Sequence, residues 1–169
     1  MPWRKPYRFW RHLVTDQLSA RRAFPRQVLD AIQAAIEAGE RVHRGQLQFV
    51  VEDSLPLARI AAKLSPRERA LEVFGLQRAW DTADNAGVLV YVLLADRAVE
   101  IIADRGISSR VAPGEWASVC REMEEAFRRG QFAEGALAGI ARINTLLGAH
   151  FPRRAGDPGN ELPDRPVLL

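Results

Sequence analysis

The segment from Asp84 to Gly106 limits the fold of this chain more than any other. Val88 to Leu94 is a continuous apolar run, so both alternating faces of a strand would be apolar there. Such a strand has to be covered above and below, which points to a sheet held between helices. Asp96-Arg97 interrupts the run with turn chemistry, and Val99 to Ala103 returns as a second strand. The pair reads as an antiparallel hairpin. It places Asp84, Asn85 and Asp104 at one edge of the sheet and Asp96 at the other.

The flanking sequence supplies the covering layers. Val28, Leu29, Ile32 and Ile36 recur at three- and four-residue spacing after Pro25, which predicts a helix over 25–38. Leu47, Phe49 and Val51 alternate with Gln46, Gln48 and Val50, and this marks a strand ending at Glu52-Asp53. A short helical stretch follows from Pro56 to Leu64. Ser65-Pro66-Arg67-Glu68 is a capping box with proline at the first helical position, opening a helix that runs to about Trp80. A right-handed crossover then makes the strand at 47–53 parallel to the one at 87–95. Beyond the hairpin, Trp116, Val119, Cys120, Met123 and Phe127 form the stripe of a helix from Pro113 to near Gly130. A last helix spans about 132–150. The expected fold class is α/β: one three-layer α/β/α domain with a small mixed sheet at 25–150. It follows a basic aromatic arm at 1–24 and precedes a tail at 151–169. The tail holds Pro152, Pro158, Pro163, Pro166, Gly156 and Gly159 and is expected to stay disordered.

Composition narrows the setting. At 169 residues the chain has room for one sizeable core. A single cysteine, Cys120, excludes an internal disulfide framework and a thiolate zinc site. No window reaches membrane-span length, and the N-terminus is too aromatic and too often charged for a secretory signal. A cytoplasmic location is expected, with the inner face of the membrane as its extension. The net charge of +3 hides an asymmetry: residues 1–26 hold seven basic residues against Asp16 alone. Trp3, Tyr7, Phe9, Trp10, Leu13 and Val14 alternate with these cations. Three readings follow, in this order: the aromatics pack on the domain, residues 3–14 contact anionic lipid, or they stack on single-stranded nucleic acid. Nucleic acid is the least expected partner.

The hairpin sorts the acids into two groups. Asp84, Asn85 and Asp104 converge at one edge with Asp81 nearby, and hard cations such as Ca²⁺ or Mg²⁺ take carboxylate, amide and carbonyl oxygens. The competing reading makes Asp81 and Asp84 Asx-turn residues of a helix-to-strand connection. At the opposite edge Glu52, Asp53, Asp96 and Arg97 come together, suited to a phosphoryl group or a peptide terminus, or to nothing more than an exposed ion pair. No Cys-x₅-Arg loop, Asp-x-Asp nucleophile motif or histidine-rich cluster is present. His12, His43 and His150 show no ligand spacing and read as solvent-facing. Cys120 shares a helix face with Trp116 and Met123 and reads as core.

These residues together resemble the TPM domain, a family found in thylakoid photosystem-repair proteins, in nematode receptor-associated proteins and in many bacterial proteins. The resemblance spans residues 25–150 and rests on Asp84-Asn85-Ala86-Gly87 before the apolar strand, Asp96-Arg97 in the turn and Gly106 after the second strand. Phe127-Arg128-Arg129-Gly130-Gln131-Phe132-Ala133-Glu134-Gly135 matches the family's Phe-x-x-Gly-x-aromatic-x-x-Gly segment. It implies a sheet of about four strands in an α/β/α fold. Plant members have been described as acid phosphatases and bacterial members as divalent-cation binders. Here Asp104-Arg105-Gly106 stands where the family has Gly-aromatic-Gly, and Asp96-Arg97-Ala98 where it has Asp-Arg-Arg. The family's secretion signal and C-terminal anchor have no counterpart in the sequence. The resulting expectation is a non-enzymatic TPM-like binding module. It would have a weak Ca²⁺ or Mg²⁺ site at Asp81, Asp84, Asn85 and Asp104, and a role in associating with or maintaining membrane-bound protein partners. The alternative is a metal-assisted, acid-phosphatase-like phosphomonoester hydrolase.

Overall fold

Strands β1 (Gln46–Glu52) and β2 (Gly87–Leu93) are buried along their whole length. The computed structural model describes residues 4–157 and 159–169, with the side chains of residues 4–6 and 17 excepted. Trp3 and Pro158 therefore lie outside the described residues. β1 and β2 pair in parallel from Gln46 opposite Gly87 to Glu52 opposite Leu93. β3 (Ala98–Ala103) is antiparallel to β2, as the hairpin chemistry requires. A fourth strand, β4 (Val167–Leu168), runs parallel to β1, and the order is β3-β2-β1-β4.

The described residues form eight helices: α1 (Arg4–Val14), α2 (Gln17–Ala23), α3 (Arg26–Glu40), α4 (Leu57–Ala61), α5 (Pro66–Leu76), α6 (Arg105–Ser108), α7 (Pro113–Arg128) and α8 (Phe132–His150). Alternation along the central strands sends their side chains into two cores. Leu47, Phe49, Val51, Val88, Val90 and Val92 join Ile32, Ile36, Met123 and Ile140 from α3, α7 and α8. Val50, Leu89, Tyr91 and Leu93 join Ile60, Ala70 and Val73 from α4 and α5. An apolar run on both strand faces is the consequence of these two covering layers. The first core is closed by Phe24, whose ring lies 5.6–5.8 Å from those of Phe49, Phe127 and Phe132. The described residues contain no helix long and apolar enough to cross a membrane.

The polar members of β1 do not form a wet face. Gln46, Gln48 and Glu52 are all buried. Arg69 of α5 grips Glu52 with Nε and Nη2, both at 2.9 Å, and the Tyr91 hydroxyl donates to the same carboxylate. Gln46 Oε1 accepts the backbone N–H groups of Glu161 and Leu162, at 2.7 and 3.1 Å. That contact corrects the expectation of a disordered tail. The described part of 151–169 is laid along the domain, with Leu162 buried and the Leu169 N–H bonded to the Val51 carbonyl at 2.9 Å. Its many prolines suit an edge segment, where few backbone donors are needed.

The arm departs from the first expectation, that its aromatics pack on the domain, because Tyr7 and Trp10 are exposed. It is helical from Arg4, because Pro6 falls in the first turn, where a missing N–H costs nothing. Asp16 then caps α2, its side chain accepting the Ser19 N–H at 3.0 Å.

Candidate functional site

Two connections meet where β2 begins and β3 ends. After α5 the backbone passes through Arg78 and Asn85, both in the left-handed region with φ of +54° and +50°. Asparagine tolerates that region because its short side chain can bond locally. Thr82 fixes the turn: its carbonyl accepts the Asn85 N–H at 3.2 Å and its hydroxyl accepts the Ala86 N–H at 2.9 Å. From the other side, the Asp104 N–H bonds the Gly87 carbonyl at 2.9 Å and the Gly106 N–H bonds the Asn85 carbonyl at 3.0 Å. A Cβ on Gly106 would stand 2.4 Å from the Asp84 carbonyl oxygen, and one on Gly87 would stand 1.7 Å from that of Ala79. Backbone meets backbone at this corner, so neither position has room for a side chain.

Of the four residues expected to form a cation site, Asp84, Asn85 and Asp104 lie at this corner, and they do different things there. Asp104 caps α6, with Oδ1 accepting the Arg105 N–H at 2.7 Å. It is only 8% exposed, and its Oδ2 is buried with no hydrogen-bond partner. Asp84 turns its carboxylate to Arg44, Nη1 to Oδ2 at 3.1 Å, while the Arg44 guanidinium stacks over the Phe151 ring. Asp81 pairs with Arg78 at the surface. Asn85 contributes its backbone carbonyl. Among the described residues, no group of three or more His, Cys, Asp or Glu side chains is placed to hold a metal ion.

Two participants carried no signal in the sequence. Arg44 lies in a connector without a motif. Glu161 lies in the proline-rich tail, and its Oε2 accepts the Ala83 N–H at 2.7 Å. Chemically, the corner offers one buried carboxylate oxygen without a donor and the main-chain carbonyls of Asp84 and Asn85. A carbonyl that accepts one hydrogen bond keeps a second lone pair. These are the hard oxygens that Ca²⁺ and Mg²⁺ prefer. A buried oxygen without a partner is costly, so a water or a cation at Oδ2 would supply what this atom lacks.

The opposite edge is built otherwise. Asp96 does not pair with Arg97; it is taken by Arg8 of α1, through Nε at 3.0 Å and Nη2 at 2.7 Å. His12 Nε2 lies 3.2 Å from Oδ1, the oxygen that Arg8 Nε also meets. Burial would raise the Asp96 pKa, but the Arg8 hydrogen bonds and the charges of Arg8 and His12 outweigh it and hold the carboxyl below its ordinary value. His12 Nδ1 accepts the Leu55 N–H at 2.9 Å, so Nε2 carries the ring proton. Arg8 also donates to the Leu64 carbonyl at 2.8 Å. Asp53 is engaged locally, its Oδ1 accepting the Ser54 N–H at 2.6 Å. Glu52 faces α5 instead of the turn. Arg97, in the left-handed region at φ +52°, is exposed.

The reading of the histidines as solvent-facing holds for His150 alone. His12 and His43 are buried. His43 bridges Gly45 O and Asn144 Oδ1, both at 3.1 Å, and so ties the α3–β1 connector to α8. Burial lowers the pKa of both rings. Cys120 lies in the core margin as expected, and burial pushes its thiol up to about 12, away from nucleophilic use.

Known proteins place this architecture. The solution structure of the BA42 protein from the psychrophilic bacterium Bizionia argentinensis superposes with a TM-score of 0.74 at 26% identity, covering 85% of this chain and 93% of that one. The N-terminal domain of a P. gingivalis protein has the same fold, with a TM-score of 0.58 at 14% identity over 78% of this chain and 83% of that one. No protein of curated function matches. The family model described as TPM domain matches residues 20–146. That span runs from α2 nearly to the end of α8 and takes in the glycine-closed corner, the Asp96 turn and the Phe127–Phe132 pair stacked at 5.3 Å between α7 and α8. With the sheet order, the corner and the matched span in agreement, the chain belongs to the TPM domain family.

Proposed function

We propose that the protein is a non-enzymatic binding module that holds a divalent cation, Ca²⁺ or Mg²⁺, weakly at the Asp84/Asn85/Asp104 corner. In that state it associates with membrane-bound protein partners and supports their assembly or maintenance. The observation that carries this reading is Asp104 Oδ2, buried and without a donor, two residues before Gly106, whose backbone lies against the Asp84 and Asn85 carbonyls. Asp104 and the two carbonyls are the donors, and water completes the shell, as is usual for weak hydrated sites. Asp84 joins only by exchanging Arg44 for the cation. Asp81 stays at the rim.

Support for a module without turnover comes from where the reactive side chains are spent. His12 and His43 are fixed in buried hydrogen bonds, the Tyr91 hydroxyl is committed to Glu52, and the Cys120 thiol is held protonated. None of these is placed beside the corner as a base or nucleophile, the role that transfer chemistry without a metal-activated water would ask of the chain.

Thermal melts with and without millimolar Ca²⁺ or Mg²⁺ test the reading, since a ligand that binds only the folded state raises the midpoint with concentration. A rise in the wild type that is lost in Asp104→Asn supports the corner as the site. An unchanged midpoint in both removes it. Steady hydrolysis of an aryl phosphate that needs Asp104 and added metal would replace the module by the hydrolase.

A further inference from the structure

Helix α1 is docked the wrong way round for a surface helix. An amphipathic helix on a globular domain buries its apolar stripe and shows its polar face to water. Here the buried contacts are polar: Arg8 and His12 on Asp96, Arg8 on the Leu64 carbonyl and His12 on the Leu55 N–H. At about 100° per residue, Trp10 points opposite the mean direction of Arg8 and His12. Tyr7, Trp10 and Val14 follow one another at i, i+3 and i+7 and are 68%, 63% and 67% exposed. Leu13 and, from α2, Leu18 extend the surface at 54% and 55%. Phe9 closes its edge beside Ile60 and Ala61 of α4. Contiguous exposed apolar side chains on this scale mark an interaction surface.

The charge around this face identifies what covers it. No described residue from Tyr7 to Phe24 is acidic except Asp16, while Arg11, Arg21 and Arg22 surround the apolar side chains. Behind Val14, between α1, α2 and the β2–β3 turn, a cavity of about 570 Å³ brings Arg11, Arg22 and Arg97 together with Thr15 and Ser19. Arg11 Nη2 is buried with no hydrogen-bond partner. Burial first, and the neighbouring Arg97 and Arg8 charges after it, lower the Arg11 pKa against the pull of Asp96. A second copy of this chain would bring one cluster of arginines against another. A surface that offers phosphate to the arginines and hydrocarbon to tryptophan and tyrosine is the headgroup region of an anionic bilayer.

We infer that α1 is a peripheral membrane element. It lies flat on an anionic bilayer, with Trp10, Tyr7, Leu13 and Val14 in the headgroup–acyl boundary and a lipid phosphate in the Arg11/Arg22/Arg97 cavity. The Arg8/His12/Asp96 contacts hold its apolar face outward. This goes beyond the cation reading and does not depend on it.

Sedimentation of the full chain with vesicles, in the presence of a chelator, tests the inference apart from any divalent cation. Phosphatidylglycerol–phosphatidylcholine vesicles are compared with phosphatidylcholine alone. The wild type is expected to bind the anionic vesicles at least tenfold more tightly, with binding falling as salt rises. The Trp10→Ser/Leu13→Ser variant alters only exposed side chains, so its melt should be unchanged while vesicle binding falls at least tenfold. Arg22→Glu/Arg97→Glu should weaken binding to anionic vesicles alone. Equal binding to both vesicle types, or undiminished binding by the serine variant, would overturn the inference. So would a concentration-dependent dimer that the serine variant abolishes, because it would put a second copy on the face.

Discussion

The two ends of the β2–β3 hairpin carry the same residue type to opposite effect. At the turn, Asp96 is saturated: Arg8, 88 residues earlier, and His12 from the same helix occupy its carboxylate. At the other end, Asp104 spends one oxygen on the α6 cap and keeps the second buried and without a donor. Asp96 is a clasp, and its chemistry is used up in holding α1. Asp104 is incomplete, and incompleteness is what a ligand site requires. Proximity of acids in sequence or at a sheet edge does not separate the two cases; the accounting of donors does.

The corner breaks most severely through its backbone. Gly87→Ala places a Cβ 1.7 Å from the Ala79 carbonyl oxygen, and overpacking of that kind costs about 3 kcal/mol. Denaturant unfolding should show a lowered midpoint with the slope retained. At the turn, Asp96→Asn leaves the part-buried Arg8 short of a charge partner and replaces the carboxylate that faces the buried His12. A loss of about 2 kcal/mol is expected, and limited proteolysis should now cut within residues 4–23. Asp84→Asn, whose Arg44 partner also stacks on Phe151, should cost less than Asp96→Asn.

The pH dependence sharpens the contrast, because two buried acids shift in opposite directions. Asp96 has a folded-state pKa below its ordinary 3.8. Its contribution is complete above that value and is lost as pH falls through the lower folded one, so acid loosens the clasp. Glu40 accepts the Leu47 N–H, but burial, aided by the facing Asp164, raises its pKa from 4.5 to about 8. The folded state therefore holds a proton that the unfolded state releases. The Glu40 contribution is greatest below about 4.5 and declines up to about 8. Glu40→Gln should flatten that decline, as read from midpoints across the range. The smallest stability effect belongs to Asp104→Asn. Asparagine caps a helix as well as aspartate, and the orphaned charge disappears, so the change should stay within about 0.5 kcal/mol. The same substitution should abolish the response to divalent cations.

The core of this fold was legible because its signals are local. The apolar run at Val88–Leu94 required two covering layers, and the structure supplies them. The Ser65–Glu68 capping box and the helix over 132–150 form where their residue patterns put them. That Asp84, Asn85 and Asp104 lie at one end of the hairpin follows from its antiparallel pairing. What the sequence hid depends on partners far apart in the chain. Arg8 and His12 find Asp96 only after the hairpin is in place, so α1 gave no sign that its polar face would be the docked one. Gln46 and Gln48 look like the wet face of a strand, yet Gln46 is the residue on which the tail at Glu161–Leu162 hangs. Arg44 neutralises Asp84 from a connector with no motif to mark it. A carboxylate's identity can be read from the sequence, whereas its donors come from the whole fold.

The central claim is that the Asp84/Asn85/Asp104 corner is an incomplete oxygen site and the Asp96 end a finished clasp. The most direct test is a Ca²⁺ and Mg²⁺ titration of the isotope-labelled full chain, followed by amide NMR. The account expects saturable shifts at 81–87 and 103–107, with 95–98 unmoved and the response lost in Asp104→Asn. The absence of localised shifts at millimolar cation, or shifts centred on the Asp96 turn, would contradict it.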